Sequence, residues 1–203
     1  MSLIIEGRAA FVHVPKCAGS WVRNVVKNGG LRTREIGKRH WTATAVRKAH
    51  PKLFIFATVR HPREWIRSAW CYGMRKIEAK SGRVGPLWRN RVPFLHDFEK
   101  FVEAYLKICP GYIGEFFEKW TKDADLVLKC ESISGHIRSA LHKAGLETGK
   151  KFEKAVRLTA EAKVCGRLPE WKERSRFTPQ LETDFLHAER EALRRYGYAE
   201  ACC

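Results

Sequence analysis

The sequence predicts an α/β fold in which a central parallel sheet of about four to five strands is flanked by helices. Short, continuously apolar segments are typical of buried parallel strands, and here they alternate with segments of helical periodicity. The chain has 203 residues, which corresponds to about one domain. We therefore expect a single domain over residues 1–203, with right-handed connections between the parallel strands.

The alternation is clearest in the N-terminal part of the chain. The first apolar run is followed by the turn Pro15–Ser20 and by a helix that ends at Gly29-Gly30. The strongest strand pattern precedes Pro62, which stands at the start of the next helix. The predicted strands are 9–14, 31–36 and 53–59, and the predicted helices are 21–26, 42–50 and 64–75.

The C-terminal part adds one strand and several helices. Residues 76–92 are basic and irregular, and a loop of that length is typical of a functional segment. Residues 149–176 are polar and basic without a clear period, so no element is predicted there. A last amphipathic helix begins at Thr178-Pro179 and ends near Tyr196. The remaining predicted elements are helices at 94–108, 112–120 and 133–144 and a strand at 126–130.

The charge balance predicts an anionic partner. The chain carries 39 Lys or Arg against 22 Asp or Glu, a formal net charge of +17. Such an excess favours binding to a nucleotide, an anionic sugar, a nucleic acid or an anionic membrane surface, and does not choose among them.

Composition excludes several classes of protein. With 44% hydrophobic residues the chain is not disordered, and no apolar run reaches the roughly 20 residues of a membrane span. The N-terminus lacks the basic and apolar regions of a secretory signal, so we expect a soluble cytoplasmic protein. Its seven cysteines include no CxxC motif, which indicates reduced thiols and no metal site.

The turn between the first strand and the first helix is a candidate anion site. A glycine-containing turn that opens a helix presents backbone N–H groups to an anion, as a P-loop does. Lys16 can reach a phosphate oxygen there, and Gly19 and Ser20 suit the start of the helix. Neither the Walker A pattern nor G-x-G-x-x-G is present, which disfavours an ordinary ATP or GTP loop.

A second basic position follows the strand at 53–59. Arg60 stands at the carboxyl end of that strand, where ligands of α/β proteins bind, and Ser68 lies about two turns into the next helix. Both side chains are placed to contact one further phosphate. The alternative is that Arg60 is a solvated cap and Ser68 a filler.

Several segments together carry a resemblance to a known family. Residues 11–20 (FVHVPKCAGS) and 56–68 (FATVRHPREWIRS) resemble the two nucleotide-binding motifs of carbohydrate sulfotransferases. These enzymes use 3′-phosphoadenosine-5′-phosphosulfate (PAPS) as the sulfuryl donor. Shorter likenesses lie at 38–43 (KRHWTA), 125–133 (DLVLKCESI) and 191–198 (EALRRYGY), so the resemblance extends from about residue 9 to residue 198.

The resemblance implies a sulfotransferase that moves a sulfuryl group from PAPS to a hydroxyl, with a carbohydrate as the expected acceptor and no metal. In that family the first turn holds the 5′-phosphosulfate, with its lysine on the bridging oxygen, and the second motif binds the 3′-phosphate. The donor-binding residues implied here are Lys16, Cys17, Ala18, Gly19, Ser20, Trp21, Arg60 and Ser68. Cys17 departs from the usual threonine, and a thiol is a poor hydrogen-bond donor to phosphate.

The resemblance also assigns the base to His40. A neutral imidazole can take the proton of the acceptor hydroxyl during transfer. His40 follows the strand predicted at 31–36, which places it at the carboxyl edge of the sheet with Lys16 and Arg60. The alternative is that His40 only caps the helix that follows, in which case Glu131 is the next candidate for the base. The charged run at 172–176 is typical of a solvated face, and the alternative, by analogy with related folds, is that Arg174 or Arg176 closes over the nucleotide.

Two other functions stay open at this point. The positive charge and interleaved aromatic residues are compatible with a nucleic-acid-binding protein, although no recognised motif is present. A nucleotide kinase with a degenerate phosphate loop is the other alternative, and the absence of a Gly-Lys-Ser/Thr sequence counts against it. The excess of positive charge at 60–91, nine Lys or Arg against two Asp or Glu, suggests that the acceptor is acidic.

Overall fold

The computed structural model describes residues 2–37, 41–78, 96–161 and 169–198. By their internal contacts the residues fall into two compact units, of which the first comprises Met1–Arg60 with Phe116–Lys163 and the second His61–Glu115 with Val164–Cys203. The described residues form the strands β1 Ser2–Ile5, β2 Ala9–Val12, β3 Thr33–Ile36, β4 Phe54–Val59 and β5 Leu126–Lys129. The α-helices of the same ranges are α1 Gly19–Asn28, α2 Ala43–Ala49, α3 Pro62–Glu78, α4 Phe98–Ile108, α5 Tyr112–Thr121, α6 Ile133–Lys143, α7 Lys150–Glu161, α8 Pro169–Arg174, α9 Pro179–Ala188 and α10 Arg190–Arg195.

The first unit is built on a five-stranded sheet with the order β3-β1-β2-β4-β5. β4 pairs in parallel with β2 and with β5, and the register places Val12 opposite Ala57 and Val59 opposite Lys129. β1 is antiparallel to both of its neighbours, β2 and β3. Because β3 and β2 each oppose β1, they run in the same direction, and the carboxyl ends of β2, β3, β4 and β5 share one edge.

The core of the first unit forms where α1, α6 and α7 cover the sheet. Phe11 and Phe56 lie side by side on neighbouring strands, with ring centroids 5.3 Å apart, and both are fully buried. Burial of one such side chain contributes roughly 2 kcal/mol to folding. Val22, Val25 and Val26 of α1 recur at helical spacing and pack into the same cluster. This packing fixes α1, and with it the turn that precedes α1.

The second unit has an aromatic core. Trp70 meets Phe98 at 5.5 Å between ring centroids, and Phe98 meets Phe177 at 5.0 Å. Phe177 and Tyr105 pack in turn on Phe185, at 5.4 and 5.8 Å. Aromatic pairs at these distances gain about 0.5–1.5 kcal/mol beyond the area they bury.

A buried carboxylate, Glu189, ties three segments of the second unit together. It is 1% exposed and accepts hydrogen bonds from the Tyr105 hydroxyl and from the amides of Ile113 and Gly114, the latter at 3.2 Å. Burial raises the pKa of Glu189 above its usual range, although these hydrogen bonds oppose the shift. The carboxylate therefore supplies acceptors at the start of α5, where helical N–H groups lack intrahelical partners.

The α/β class, with five strands flanked by helices, is confirmed, and several details of the prediction are wrong. The sheet is mixed because β1, which was not predicted, lies between β3 and β2. Helices α7 and α8 occupy the stretch 149–176 for which no element was predicted, and the last predicted helix is two helices, α9 and α10. The helix predicted at 64–75 extends to Glu78, and the rest of the predicted loop, 79–92, lies outside the described residues. Within the described ranges, no helix is both long and apolar enough to cross a bilayer. The prediction of a single domain stays a prediction.

Candidate anion-binding site

The turn between β2 and α1 has an unusual backbone. Lys16 and Ala18 adopt left-handed conformations, with φ of 67° and 58°, although neither is a glycine. Each such residue costs of order 1–3 kcal/mol and persists only where its surroundings impose it. A left-handed residue on either side of Cys17 turns successive N–H groups toward one side, which is the backbone pattern of an anion-binding nest.

The helix that follows this turn is open to an anion at its start. Ala18 is the N-cap of α1 and makes no side-chain capping bond, and the first turn of the helix carries no acidic residue. The positive end of the helix dipole is therefore not neutralised by a carboxylate of its own first turn. Ser20 is exposed in this first turn, and Lys16 and Trp21 are half-buried.

Thr58 holds the turn onto the sheet. This residue of β4 is fully buried, and its hydroxyl donates a hydrogen bond to the carbonyl of Cys17. The Cys17 amide donates to the Val14 carbonyl at 3.2 Å. Both backbone groups of Cys17 are thus engaged within the protein, so Cys17 fixes the shape of the turn. Sequence reasoning missed Thr58, whose signal is a lone hydroxyl in an otherwise apolar strand.

Gly19 is required because the imidazole of His13 lies against it. A Cβ built on Gly19 would lie 2.2 Å from Cδ2 and 2.3 Å from Nε2 of His13, distances at which atoms overlap. The His13 amide donates to Ser2 Oγ at 3.3 Å, and Ser2 Oγ donates to the Trp41 carbonyl at 3.2 Å. The glycine therefore allows the histidine at the end of β2 to pack on the start of α1.

Four side chains gather where β2, β4 and β5 end. Cys130, Arg60 and Glu131 all act on the thiol of Cys17. Burial, with Cys130 as the next largest cause, raises the pKa of Cys17 well above its usual range, and the Arg60 charge opposes the shift. Cys17 is therefore held as a neutral thiol, so that no thiolate competes with an anion in the turn. The charge of Arg60, which directly follows β4, thus acts on the turn.

The remaining predictions of site residues concern Ser68, His40 and a late arginine. Ser68 is in α3 of the second unit and is 7% exposed. His40 lies outside the described residues, although the neighbouring strand β3 ends at the predicted edge. Arg174 pairs with Glu170 at 3.5 Å, and Arg176 pairs with the Glu173 carboxylate. Among the described residues, no group of three or more His, Cys, Asp or Glu side chains is placed to hold a metal ion.

Comparison with known proteins identifies the fold. A solved structure of the mouse sulfotransferase SULT7A1, in complex with PAP, superposes on this chain with a TM-score of 0.59. The match covers 93% of this chain and 84% of the mouse chain, at 16% sequence identity. The chain has the fold of a sulfotransferase. No family model matches the sequence, and no curated protein sequence matches it either.

Proposed function

We propose that this protein is a PAPS-dependent sulfotransferase that transfers a sulfuryl group to a hydroxyl of a carbohydrate acceptor. The observation that carries the proposal is the turn at 15–20, in which two left-handed residues precede an uncapped helix start. The sulfotransferase-like fold supports it, because the turn follows a strand in the parallel part of that sheet. The resemblance of residues 11–20 and 56–68 to the donor-binding motifs of carbohydrate sulfotransferases supports it independently.

In this proposal the turn holds the 5′-phosphosulfate. The amides at Ala18–Trp21 and the hydroxyl of Ser20 would donate to the phosphate oxygens, and Lys16 would neutralise charge that develops on the leaving phosphate. The sulfuryl group leaves the bridging phosphate oxygen as the acceptor oxygen bonds to sulfur. Catalysis then rests on positioning and charge stabilisation, with no step that needs a metal.

Arg60 and Ser68 are proposed to bind the 3′-phosphate, which distinguishes PAPS from ATP. A charge-assisted hydrogen bond from Arg60 is among the strong interactions that a protein makes with phosphate. We propose His40 as the base that takes the proton of the acceptor hydroxyl. The excess of Lys and Arg at 60–91 supports an acidic carbohydrate as the acceptor.

The decisive experiment is a calorimetric titration with 3′-phosphoadenosine-5′-phosphate (PAP), compared with 5′-AMP. We expect PAP to bind at least about tenfold more tightly, a difference of about 1.4 kcal/mol. Arg60→Ala should remove most of that difference, whereas Arg34→Ala, a change of an exposed arginine on β3, should leave it unchanged. Equal affinities for PAP and 5′-AMP in the unaltered protein would refute the proposal. Binding to nucleic acid that is lost with salt and is indifferent to PAP would favour the alternative.

Turnover with PAPS tests the two catalytic assignments. Lys16→Ala should lower kcat by about a hundredfold or more, on the scale of losing an oxyanion donor. The matched control is Lys27→Ala, an exposed lysine in the last turn of α1. His40→Ala should lower kcat by about a hundredfold to ten-thousandfold while PAP affinity stays near that of the unaltered protein. A His40 variant that keeps its turnover would shift the role of base to Glu131.

A further inference from the structure

Two cysteines meet beside the candidate donor turn, and the proposed reaction uses neither thiol. Cys17 lies in the turn and is fully buried, whereas Cys130 follows β5 directly and is half-buried. Their side chains are neighbours, and Cys130 acts directly on the Cys17 thiol. The register explains the contact, because Val59 pairs with Lys129, so that the ends of β4 and β5 lie level below the turn. The Cys17 carbonyl is bonded to Thr58 one residue before Val59.

We propose that Cys17 and Cys130 form an oxidation site, in which a hydroperoxide converts the two thiols to a disulfide and thereby closes the anion-binding turn. The chemistry balances in two steps. With hydrogen peroxide as the oxidant, the Cys130 sulfur takes one peroxide oxygen, the O–O bond breaks, and Cys130 becomes a sulfenic acid while the other oxygen leaves as water. The Cys17 sulfur then attacks the Cys130 sulfur, the S–S bond forms, and the sulfenic oxygen leaves as a second water.

Exposure decides the order of these steps. Cys130 is half-buried and meets the oxidant first, whereas Cys17 has no exposed surface. Cys17 then acts as the resolving thiol. Burial holds its pKa well above the usual range, so little of it is thiolate at neutral pH. The closing step should therefore become faster as the pH is raised from about 7 to about 9.

The disulfide would change the turn because it is shorter than the thiol contact that it replaces. The two sulfurs of a disulfide lie about 2.05 Å apart, so the pair must close by about 1 Å or more. Cys17 stands between the two left-handed residues Lys16 and Ala18, and its carbonyl is tied to Thr58. Movement of Cys17 toward β5 therefore turns the neighbouring amides away from the positions that an anion requires. This consequence rests on the proposed function, whereas formation of the disulfide does not.

Peptide mapping tests the thiol pair directly. Trypsin releases Cys17 in the peptide CAGSWVR, residues 17–23, and Cys130 in the peptide CESISGHIR, residues 130–138. After treatment of the folded protein with hydrogen peroxide, a non-reducing digest should contain these two peptides joined, and dithiothreitol should separate them. Cys130→Ala should abolish the joined species, and Cys109→Ala, a change of another half-buried cysteine, should not. Separate oxidised peptides without the joined species would overturn the proposal.

Nucleotide binding tests the consequence. PAP affinity should fall by about tenfold or more on oxidation and return with dithiothreitol. The variants Cys130→Ala and Cys130→Ser should keep their PAP affinity after the same treatment. Two variants are used so that a folding defect in one of them does not decide the result. If oxidation lowers the PAP affinity of both variants as much as that of the unaltered protein, the link between the disulfide and the turn is overturned. If the reduced protein does not bind PAP, the proposed function fails. Peptide mapping still tests, by itself, whether Cys17 and Cys130 form a disulfide.

Discussion

Replacing Gly19 by alanine is a sharp test of how the turn is built. The new Cβ would lie 2.2 Å from Cδ2, 2.3 Å from Nε2 and 2.6 Å from Cγ of the His13 imidazole. Three ring atoms are involved, so rotation of the ring about its own axis cannot relieve the overlap. The imidazole also stacks on the ring of Phe11, with centroids 6.4 Å apart, which limits where it can move. Either His13 leaves its place or the start of α1 shifts.

The size of the effect follows from two opposing contributions. Overpacking a well-filled site costs typically about 1–3 kcal/mol. Alanine in place of glycine within a helix stabilises the folded protein by up to about 1 kcal/mol, and by less at the first helical residue. We therefore expect Gly19→Ala to lower the free energy of unfolding by about 1–2 kcal/mol. In a chain of this size that change lowers Tm by about 2–8 °C.

A double-mutant cycle with His13→Ala isolates the contact. Tryptophan fluorescence in a urea titration gives the midpoint and the free energy for the four proteins of the cycle. Removal of the imidazole leaves room for the new methyl group, so the Gly19→Ala change should cost little in the His13→Ala background. The expected interaction energy is about 1–2 kcal/mol, within the range seen for residues in contact. PAP affinity measured on the same four proteins should follow the same pattern.

Two results would refute this reasoning. If Gly19→Ala retains the stability of the unaltered protein, the overlap is absent. If the effects of the two changes add to within about 0.5 kcal/mol, the two residues are independent sites. Gly135→Ala is the matched control: a Cβ at that helical glycine meets no atom within 4 Å, so the change should not destabilise the protein.

Three further changes test other parts of the fold by urea titration. Thr58→Val leaves a buried turn carbonyl without its donor and should cost about 1–3 kcal/mol, whereas Thr44→Val, at an exposed hydroxyl bond, should cost under about 0.5 kcal/mol. Asp125→Asn weakens the two 2.6 Å bonds from Arg47, and since both side chains are about a third exposed, the loss should be about 0.5–1 kcal/mol and shrink with salt. Burial raises the pKa of Glu189 above 4.5, so its contribution to stability is full below about pH 4.5 and is lost as the pH rises through the pKa of the folded protein. Glu189→Gln should therefore flatten the dependence of the free energy of unfolding on pH. An unchanged pH dependence would contradict the assignment.

The strands and helices that were predicted correctly have strong local patterns. Local sequence alone indicates buried elements at the apolar runs of β2, β4 and β5 and at the valines of α1. The strand β1 was missed because its three apolar residues, in a strand of four, are a weak signal. The sequence signal that was nevertheless present is Gly7: Glu6 and Gly7 have φ of 50° and 68°, the positive values that a tight hairpin turn requires and that glycine adopts most readily.

Helix α7 shows why a pattern can be hidden by charge. Its buried residues Phe152 and Ala155 follow the helical period, but they stand among lysines. Phe152 lies so close to the end of α1 that a Cβ on Gly29 would be 2.6 Å from its ring. The local sequence of α7 does not indicate a stable helix, and packing on α1 stabilises it. Most helical stability in proteins comes from such tertiary contacts.

The sequence by itself determined the order of the main elements, the excess of positive charge and the candidate turn at 15–20 beside Arg60. It could do so because hydrophobic period, glycine and proline act within a few residues of chain. Only the tertiary structure decided that Thr58 anchors the turn, that His13 requires Gly19 to be a glycine, and that the thiols of Cys17 and Cys130 meet. The residues of the first and third contacts are 41 and 113 positions apart in the chain. Such contacts depend on which strands become neighbours and on their register, and pairing between distant segments is set by the packing of the whole sheet.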